Sequence, residues 1–148
     1  MQKVARFCAY QERCKSDVRN KLKLMGVDKE KANSIINELV TENFINEERF
    51  ARVFASGKFK MKGWGKYKIY HALQSKGVPE NYIKTALDEI NLEEYRLKLK
   101  SILKKKEKEL KEEDYYKRKQ KLVNFATGRG FESEIIWEVI GELRKEKE

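Results

Sequence analysis

Between Lys58 and Lys68, five lysines (Lys58, Lys60, Lys62, Lys66 and Lys68) interleave with Phe59, Trp64 and Tyr67. An ammonium on a flexible stem attracts phosphate, and an exposed aromatic ring stacks on a base or fills a partner's pocket. The chemistry this pattern suggests is binding to an anionic partner, not bond making. Gly63 and Gly65 flank Trp64 and interrupt the helical pattern, which places the tryptophan on a turn. Two placements stay open for Phe59, Trp64 and Tyr67: exposed anchors, or packing residues of a helix junction.

No other group of reactive side chains assembles along the chain. Cys8 and Cys14 are six residues apart; on one helix that is about 600° of rotation, so their side chains point apart and cannot bridge. They are expected as unlinked thiols in a reducing cytosol, with no second pair to make a zinc site. His71 is the only histidine and has no carboxylate within four residues to orient it as a base. Gly63-Trp-Gly65 and Gly128-Arg-Gly130 lack the spacing of a phosphate loop. Glu47-Glu48, Glu93-Glu94 and Glu112-Glu113 belong to solvated helix faces in a chain this charged. The expectation is therefore no catalytic residue, no cofactor and no metal.

The elements that carry these residues follow the helical period. Phe50, Val53 and Phe54 are spaced i, i+3, i+4, as are Ile83, Ala86, Leu87 and Ile90. Leu92, Tyr95, Leu99, Ile102 and Leu103 form one stripe on a long helix, expected over about 92–113. Gly26, Gly77 and Gly130 stand where helices stop, and Asp28, Pro79 and Glu132 follow two positions later as helix starts, with Ser133 an alternative cap. The glycines also anchor an internal repeat. Four residues before each lie Leu22, Leu73 and Ala126; eight before, Val18, Ile69 and Leu122; one after, Val27, Val78 and Phe131. Six, ten and thirteen after come Ala32, Ile83 and Ile136; Ile36, Leu87 and Ile140; and Leu39, Ile90 and Leu143.

Each glycine-linked pair follows another helical segment, the first of them shortened to about 3–11. The fold expected is all-α: three tandem three-helix repeats, 1–43, 44–91 and 92–148, forming an elongated, curved, solenoid-like body in which neighbours share core.

The composition agrees and narrows the function. The 148 residues carry 34 Lys and Arg against 24 Asp and Glu, a net charge of +10. No window approaches the roughly 18 apolar residues of a membrane span, and the Met1 start lacks the apolar stretch of a signal peptide. The charge comes in blocks: residues 58–84 hold seven basic and one acidic residue, and 98–121 hold eleven and five. The second block mixes Lys104-Lys105-Lys106 with Glu107 and Glu109, and self-pairing such as Glu107–Lys111 is expected there. The helices after the glycines carry mostly acid, which argues against a helix-turn-helix reading, since a recognition helix facing phosphates is basic. A generic nucleic-acid-binding helical repeat or helix-turn-helix protein is the alternative function.

The stretch Glu42-Asn-Phe-Ile-Asn-Glu-Glu-Arg-Phe-Ala51, then Gly63-Trp-Gly-Lys66, Ile69 and Leu73-Gln-Ser-Lys-Gly-Val78, resembles the RecX family, bacterial regulators of the RecA recombinase. Ser16-Asp-Val-Arg-Asn-Lys-Leu22 with Gly26, and Ala126-Thr-Gly-Arg-Gly-Phe131, extend the resemblance over nearly the whole chain. It departs at Asn46, where the family usually has Asp, and at Lys66, often Pro; Asn46 retains the capping chemistry. The resemblance implies a non-enzymatic, cytoplasmic protein, taken as a monomer with no membrane partner. It implies binding to the RecA–single-stranded DNA filament, in its helical groove, with single-stranded DNA contacted directly or through RecA, limiting filament growth, strand exchange and the coprotease activity behind the SOS response. The residues nominated for contact with the filament or its DNA are Arg49, Arg52, Lys58, Lys60, Lys62, Trp64, Lys66, Tyr67 and Lys68.

Overall fold

The computed structural model describes residues 1–147. Among them are nine α-helices and no strand: α1 (Gln2–Tyr10), α2 (Lys15–Leu24), α3 (Lys29–Thr41), α4 (Glu47–Lys62), α5 (Lys66–Ser75), α6 (Glu80–Asp88), α7 (Leu92–Glu109), α8 (Tyr115–Gly128) and α9 (Ser133–Lys147). None of these helices is long and apolar enough to cross a membrane.

The three glycine junctions share one hydrogen-bond pattern. Gly26, Gly77 and Gly130 have φ of 80°, 77° and 97°, the left-handed region that glycine enters without strain. The N–H of Val27, Val78 and Phe131 donates to the carbonyl of Leu22, Leu73 and Ala126 at 3.0, 3.2 and 3.2 Å. Each glycine N–H donates to the residue three before it, at 3.0 Å in all three. This is the Schellman closure of a helix, and it explains why apolar residues recur four before and one after the glycine: the two side chains that the bond brings together also pack. Fifteen of the eighteen repeat positions are buried; Val27, Leu87 and Ile90 are half-buried.

The starts of α3, α4 and α6 follow local chemistry, and that of α9 does not. The Asp28 carboxylate accepts from Lys31 N–H at 2.9 Å, and Asn46 Oδ1 accepts from Arg49 N–H at 2.9 Å, so Asn46 does cap α4. Pro79 precedes α6 and its carbonyl accepts from Ile83 N–H, so the missing proline donor costs nothing there. At α9 it is Glu132 whose carbonyl opens the helix, and its side chain is engaged elsewhere.

Helix α7 stops at Glu109, short of the expected 113. The Arg118 guanidinium takes the carbonyls of Glu107 at 3.3 Å, Leu110 at 3.4 Å and Glu112 at 2.9 Å, and Asp114 caps α8 by accepting from Lys117 N–H. Side-chain donors for the last carbonyls end the helix where periodicity would extend it. Cys8 and Cys14 lie on different elements, α1 and the cap of α2, contrary to a single helix; both are free and buried, and burial pushes both thiols up.

The chain divides into two compact units, Met1–Ala55 with His71–Leu87, and Ser56–Tyr70 with Asp88–Glu148. Helices α4 and α5 therefore each contribute residues to both. In the first unit Val4, Cys8, Val18, Leu22, Ala32, Ile36, Leu39 and Ile45 form one apolar cluster. In the second, α7 packs on α8 and α9 around Tyr95, Leu99, Leu103, Phe131, Ile136 and Val139.

Candidate partner-binding surface

The Trp64 loop is held by backbone contacts rather than by long side chains. After α4, Gly63 adopts φ 67° and Trp64 N–H turns back to Lys58 O at 3.1 Å. Gly65 N–H donates to Arg129 O at 2.7 Å, and Tyr67 N–H donates to Gly130 O at 2.9 Å. A Cβ on Gly65 would overlap the Gly130–Phe131 peptide, so the approach requires glycine. The loop is thus fastened to the glycine junction between α8 and α9, all within the second unit.

A buried tyrosine completes the fastening. Tyr95 is fully buried; its hydroxyl donates to the Glu132 carboxylate and accepts from Lys66 N–H at 2.9 Å. Burial, then the bond to Glu132, holds the phenol protonated far above its ordinary range. Proline at position 66 would lack the N–H that Tyr95 receives, so the departure to lysine adds a hydrogen bond at the start of α5. The ring packs against Phe59 and Phe131, with centroids 5.7 and 5.0 Å away. The two open placements resolve differently: Phe59 is core, 4% exposed, and Tyr67 is 56% exposed.

Charge gathers around this frame. The Lys58 and Lys68 ammoniums lie 4.9 and 4.7 Å from the centre of the half-buried Trp64 ring, and the Lys66 ammonium lies 5.2 Å from that of Tyr95. Such cation–π contacts hold flexible lysines in place without neutralising them. Lys60 and Lys62 are exposed at the end of α4. Seven of the nine nominated residues therefore share one segment of the second unit. The other two, Arg49 and Arg52, belong to the first. Arg49 is committed to Glu12, Nε to Oε2 at 2.6 Å, and to the Asn43 carbonyl at 3.1 Å; Arg52 pairs with Glu48 one turn away at 3.2 Å. Nothing in the types of Arg49 and Glu12, 37 residues apart, announced that pair.

Reading along the chain missed how α7 divides its charges. Arg96 is bound by Glu138 and Glu142, and Lys100 and Lys104 by Glu146, so the stripe at i, i+4, i+8 is neutralised by α9. The expected Glu107–Lys111 pair is absent because Lys111 lies beyond the helix; Glu107 pairs with Arg118 at 3.9 Å and with Lys147. Lys98, Lys105 and Lys106 occupy another stripe and, with Lys62 and Arg129, line a cleft of about 390 Å³. The spacing 98, 102, 105, 106, 109 was the available signal. Among the described residues no three His, Cys, Asp or Glu side chains gather as a metal site.

Comparison with known proteins gives a consistent result. Residues 46–87 match the model of the second three-helix domain of RecX, and 93–140 that of the third. The regulatory protein RecX of Prosthecochloris aestuarii is 31% identical over 137 residues, 93% of this chain and 88% of that protein. The regulatory protein RecX of Oceanobacillus iheyensis is 27% identical over 93% of this chain, which spans about half, 50%, of its length. The crystal structure of RecX from Lactobacillus salivarius superposes with a TM-score of 0.85 at 22% identity, covering 97% of this chain and 93% of that one. A second RecX crystal structure gives 0.87 at 23%, covering 95% of this chain and 69% of that one. At those identities the structures establish the fold, all-helical with tandem three-helix domains.

Proposed function

The chain belongs to the RecX family of regulatory proteins, and from that premise we propose that it restrains a RecA recombinase by binding the RecA–single-stranded DNA filament. The observation that carries the reading is the basic segment around Trp64: a family of regulators, and in this member an anchored loop carrying Lys58, Lys60, Lys66 and Lys68 with Tyr67 exposed beside them. The cations face the anionic filament, and the half-buried Trp64 and exposed Tyr67 supply the anchors that interfaces concentrate. The protein acts without catalysis, as a cytoplasmic monomer, by occupying the filament groove. The consequences are slower filament growth, less strand exchange in recombination and repair, and less of the coprotease activity that triggers the SOS response.

The three-helix domains, set at 1–43, 44–91 and 92–148, are proposed as the units that follow the groove. A helix-turn-helix reading is disfavoured by α9, whose Glu138 and Glu142 are already bound by Arg96 and whose face presents acid.

The test is inhibition of RecA ATPase on single-stranded DNA. Lys60→Glu, Lys66→Glu and Lys68→Glu together are expected to abolish inhibition with an unchanged circular-dichroism spectrum. Full inhibition by the folded triple variant would remove this surface from the interface.

A further inference from the structure

A pocket of about 160 Å³ lies between α8 and α9, and none of its residues belongs to the Trp64 segment. Each helix offers it one face at the spacing i, i+3, i+4, i+7: Tyr115, Arg118, Lys119 and Leu122 from α8, and Ile140, Leu143, Arg144 and Lys147 from α9. The end of α7 adds Glu107. Leu122, Ile140 and Leu143 are buried and make the floor, while Tyr115, Arg144 and Lys147 are exposed and make the mouth. All of these residues belong to the second unit.

Apolar and basic groups are sorted rather than mixed. Four cations stand against one carboxylate, and Glu107 is engaged by Arg118 and Lys147. Rings position the other two cations. The Lys119 ammonium lies 4.9 Å from the centre of Trp137 and 5.8 Å from that of Tyr115, and the Arg144 guanidinium lies 5.1 Å from Tyr115. Such contacts orient a cation without cancelling its charge. Trp137 is 45% exposed, and the exposed Tyr116 sets its ring edge-on to Tyr115 with centroids 5.3 Å apart, an aromatic surface of the kind that interfaces concentrate. Gly141 follows Trp137 by one turn in the interior of α9, and an added Cβ there would meet nothing within 4 Å. Glycine weakens a helix at such a position, and no contact among the described residues requires it. It leaves low backbone between Trp137 and Arg144, which share its face of the helix.

We propose that this pocket docks an acidic peptide segment of a partner protein, with one large apolar side chain of the peptide in the pocket and its carboxylates on the basic rim. An apolar cavity of about 150 Å³ holds one benzene ring, so about 160 Å³ matches a single phenylalanine side chain. The surplus of cations selects carboxylates on either side of that anchor. The peptide chain runs along α9 over Gly141, where any side chain would hold it off. A nucleic-acid strand is a poorer match, since the floor is aliphatic and Glu107 stands in the lining, whereas a run of phosphates needs a basic track.

The test is anisotropy of a fluorescein-labelled peptide of about eight residues, aspartate throughout but for one central phenylalanine, long enough to pass from Trp137 to Lys147. The full chain is used, with neither recombinase nor DNA present, so the outcome is independent of the filament reading. Replacing the phenylalanine of the peptide by serine is expected to weaken binding at least about tenfold, the worth of burying one large apolar side chain. Lys119→Glu is expected to weaken it about fivefold, and Lys29→Glu on α3 less than about twofold, since exposed charges beyond a Debye length are screened. Gly141→Gln is expected to weaken it at least about fivefold while thermal stability holds or rises, because glutamine is the better helix former, so a blocked site is told apart from a misfolded one. Equal binding of the serine peptide, undiminished binding by Gly141→Gln, competition by oligothymidylate as strong as by unlabelled peptide, or no binding at all would each overturn the proposal. So would a dimer of the chain, seen by sedimentation velocity and broken by Trp137→Ala, because a second copy would then be what covers this face.

Discussion

At Gly26 the chain closes a helix with Val27 N–H on Leu22 O, and a Cβ added to the glycine would meet nothing within 4 Å. At Gly130 the same closure is made by Phe131 N–H on Ala126 O, but an added Cβ would strike Lys68, whose backbone nitrogen is 2.6 Å away. The two turns are alike in dihedral and hydrogen bond and differ in what leans on them. The first is a local device for stopping a helix. The third is also a docking point, where Gly65 and Tyr67 hang the Trp64 loop. The second, at Gly77, stands between: an added Cβ would be unopposed, and its neighbour Lys76 reaches Asp17 on α2 at 3.0 Å through a side-chain ion pair. One repeated motif thus carries three kinds of attachment, and the strongest holds the proposed binding segment.

The comparison can be broken most forcefully at Gly65. Gly65→Ala sets a methyl against the Gly130–Phe131 peptide, and a loss of about 3 kcal/mol in urea-denaturation stability is expected, from overpacking that backbone cannot relieve. Gly130→Ala combines left-handed strain with the contact at Lys68 and is expected to cost about 2.5 kcal/mol. Tyr95→Phe keeps the aromatic packing but leaves Lys66 N–H and the Glu132 carboxylate without their partner; about 2 kcal/mol is expected, with weakened filament inhibition as the loop loosens. Gly26→Ala should cost only the left-handed strain, about 1 kcal/mol. Equal losses for Gly26→Ala and Gly130→Ala would erase the distinction between the two junctions.

The ion pair beside the second junction gives an effect as small as that of Gly26→Ala, with a pH signature. Burial alone would raise the Asp17 carboxyl, but hydrogen bonds from Lys76 and from Cys14 N–H at 3.2 Å outweigh it and hold Asp17 below the usual carboxylate range. A carboxyl depressed in the folded state stabilises above its unfolded value, near 3.9, and that contribution is lost as pH falls through the lower folded value. Asp17→Asn is therefore expected to cost about 1 kcal/mol at pH 7, discounted for the partial exposure of both partners. Its stability should converge with that of the parent chain as the pH falls through the lower folded value. Glu47 has the opposite sign: burial raises it, and one of its oxygens is buried without a hydrogen bond. Its folded value lies above the unfolded one, so its ionisation opposes folding at neutral pH, and that penalty fades as pH falls toward the unfolded value.

Much of the helical architecture was legible along the chain. The offsets around Gly26, Gly77 and Gly130 located three helix–turn–helix closures and nearly all of their buried positions, because helix period and glycine closure are set within about six residues. The length of α7 was not legible, since its end is decided by Arg118, eight residues beyond Leu110. Legibility of the proposed binding surface fell with separation in sequence. The lysine–aromatic segment stands out because its members are neighbours, whereas Arg49 resembled them in type and turned out to be held by Glu12.

What the amino-acid sequence determines by itself here is local or familial: helices, their glycine stops, the blockwise charge and membership of the RecX family. Which lysines act together is a tertiary decision. Lys62, Lys105 and Arg129 lie far apart in the chain and meet in one cleft, while Lys104, adjacent to Lys105, is spent on Glu146. Adjacent residues on a helix point about 100° apart, so neighbours in sequence face different surroundings, and only packing assigns each charge a carboxylate, an aromatic ring or open solvent.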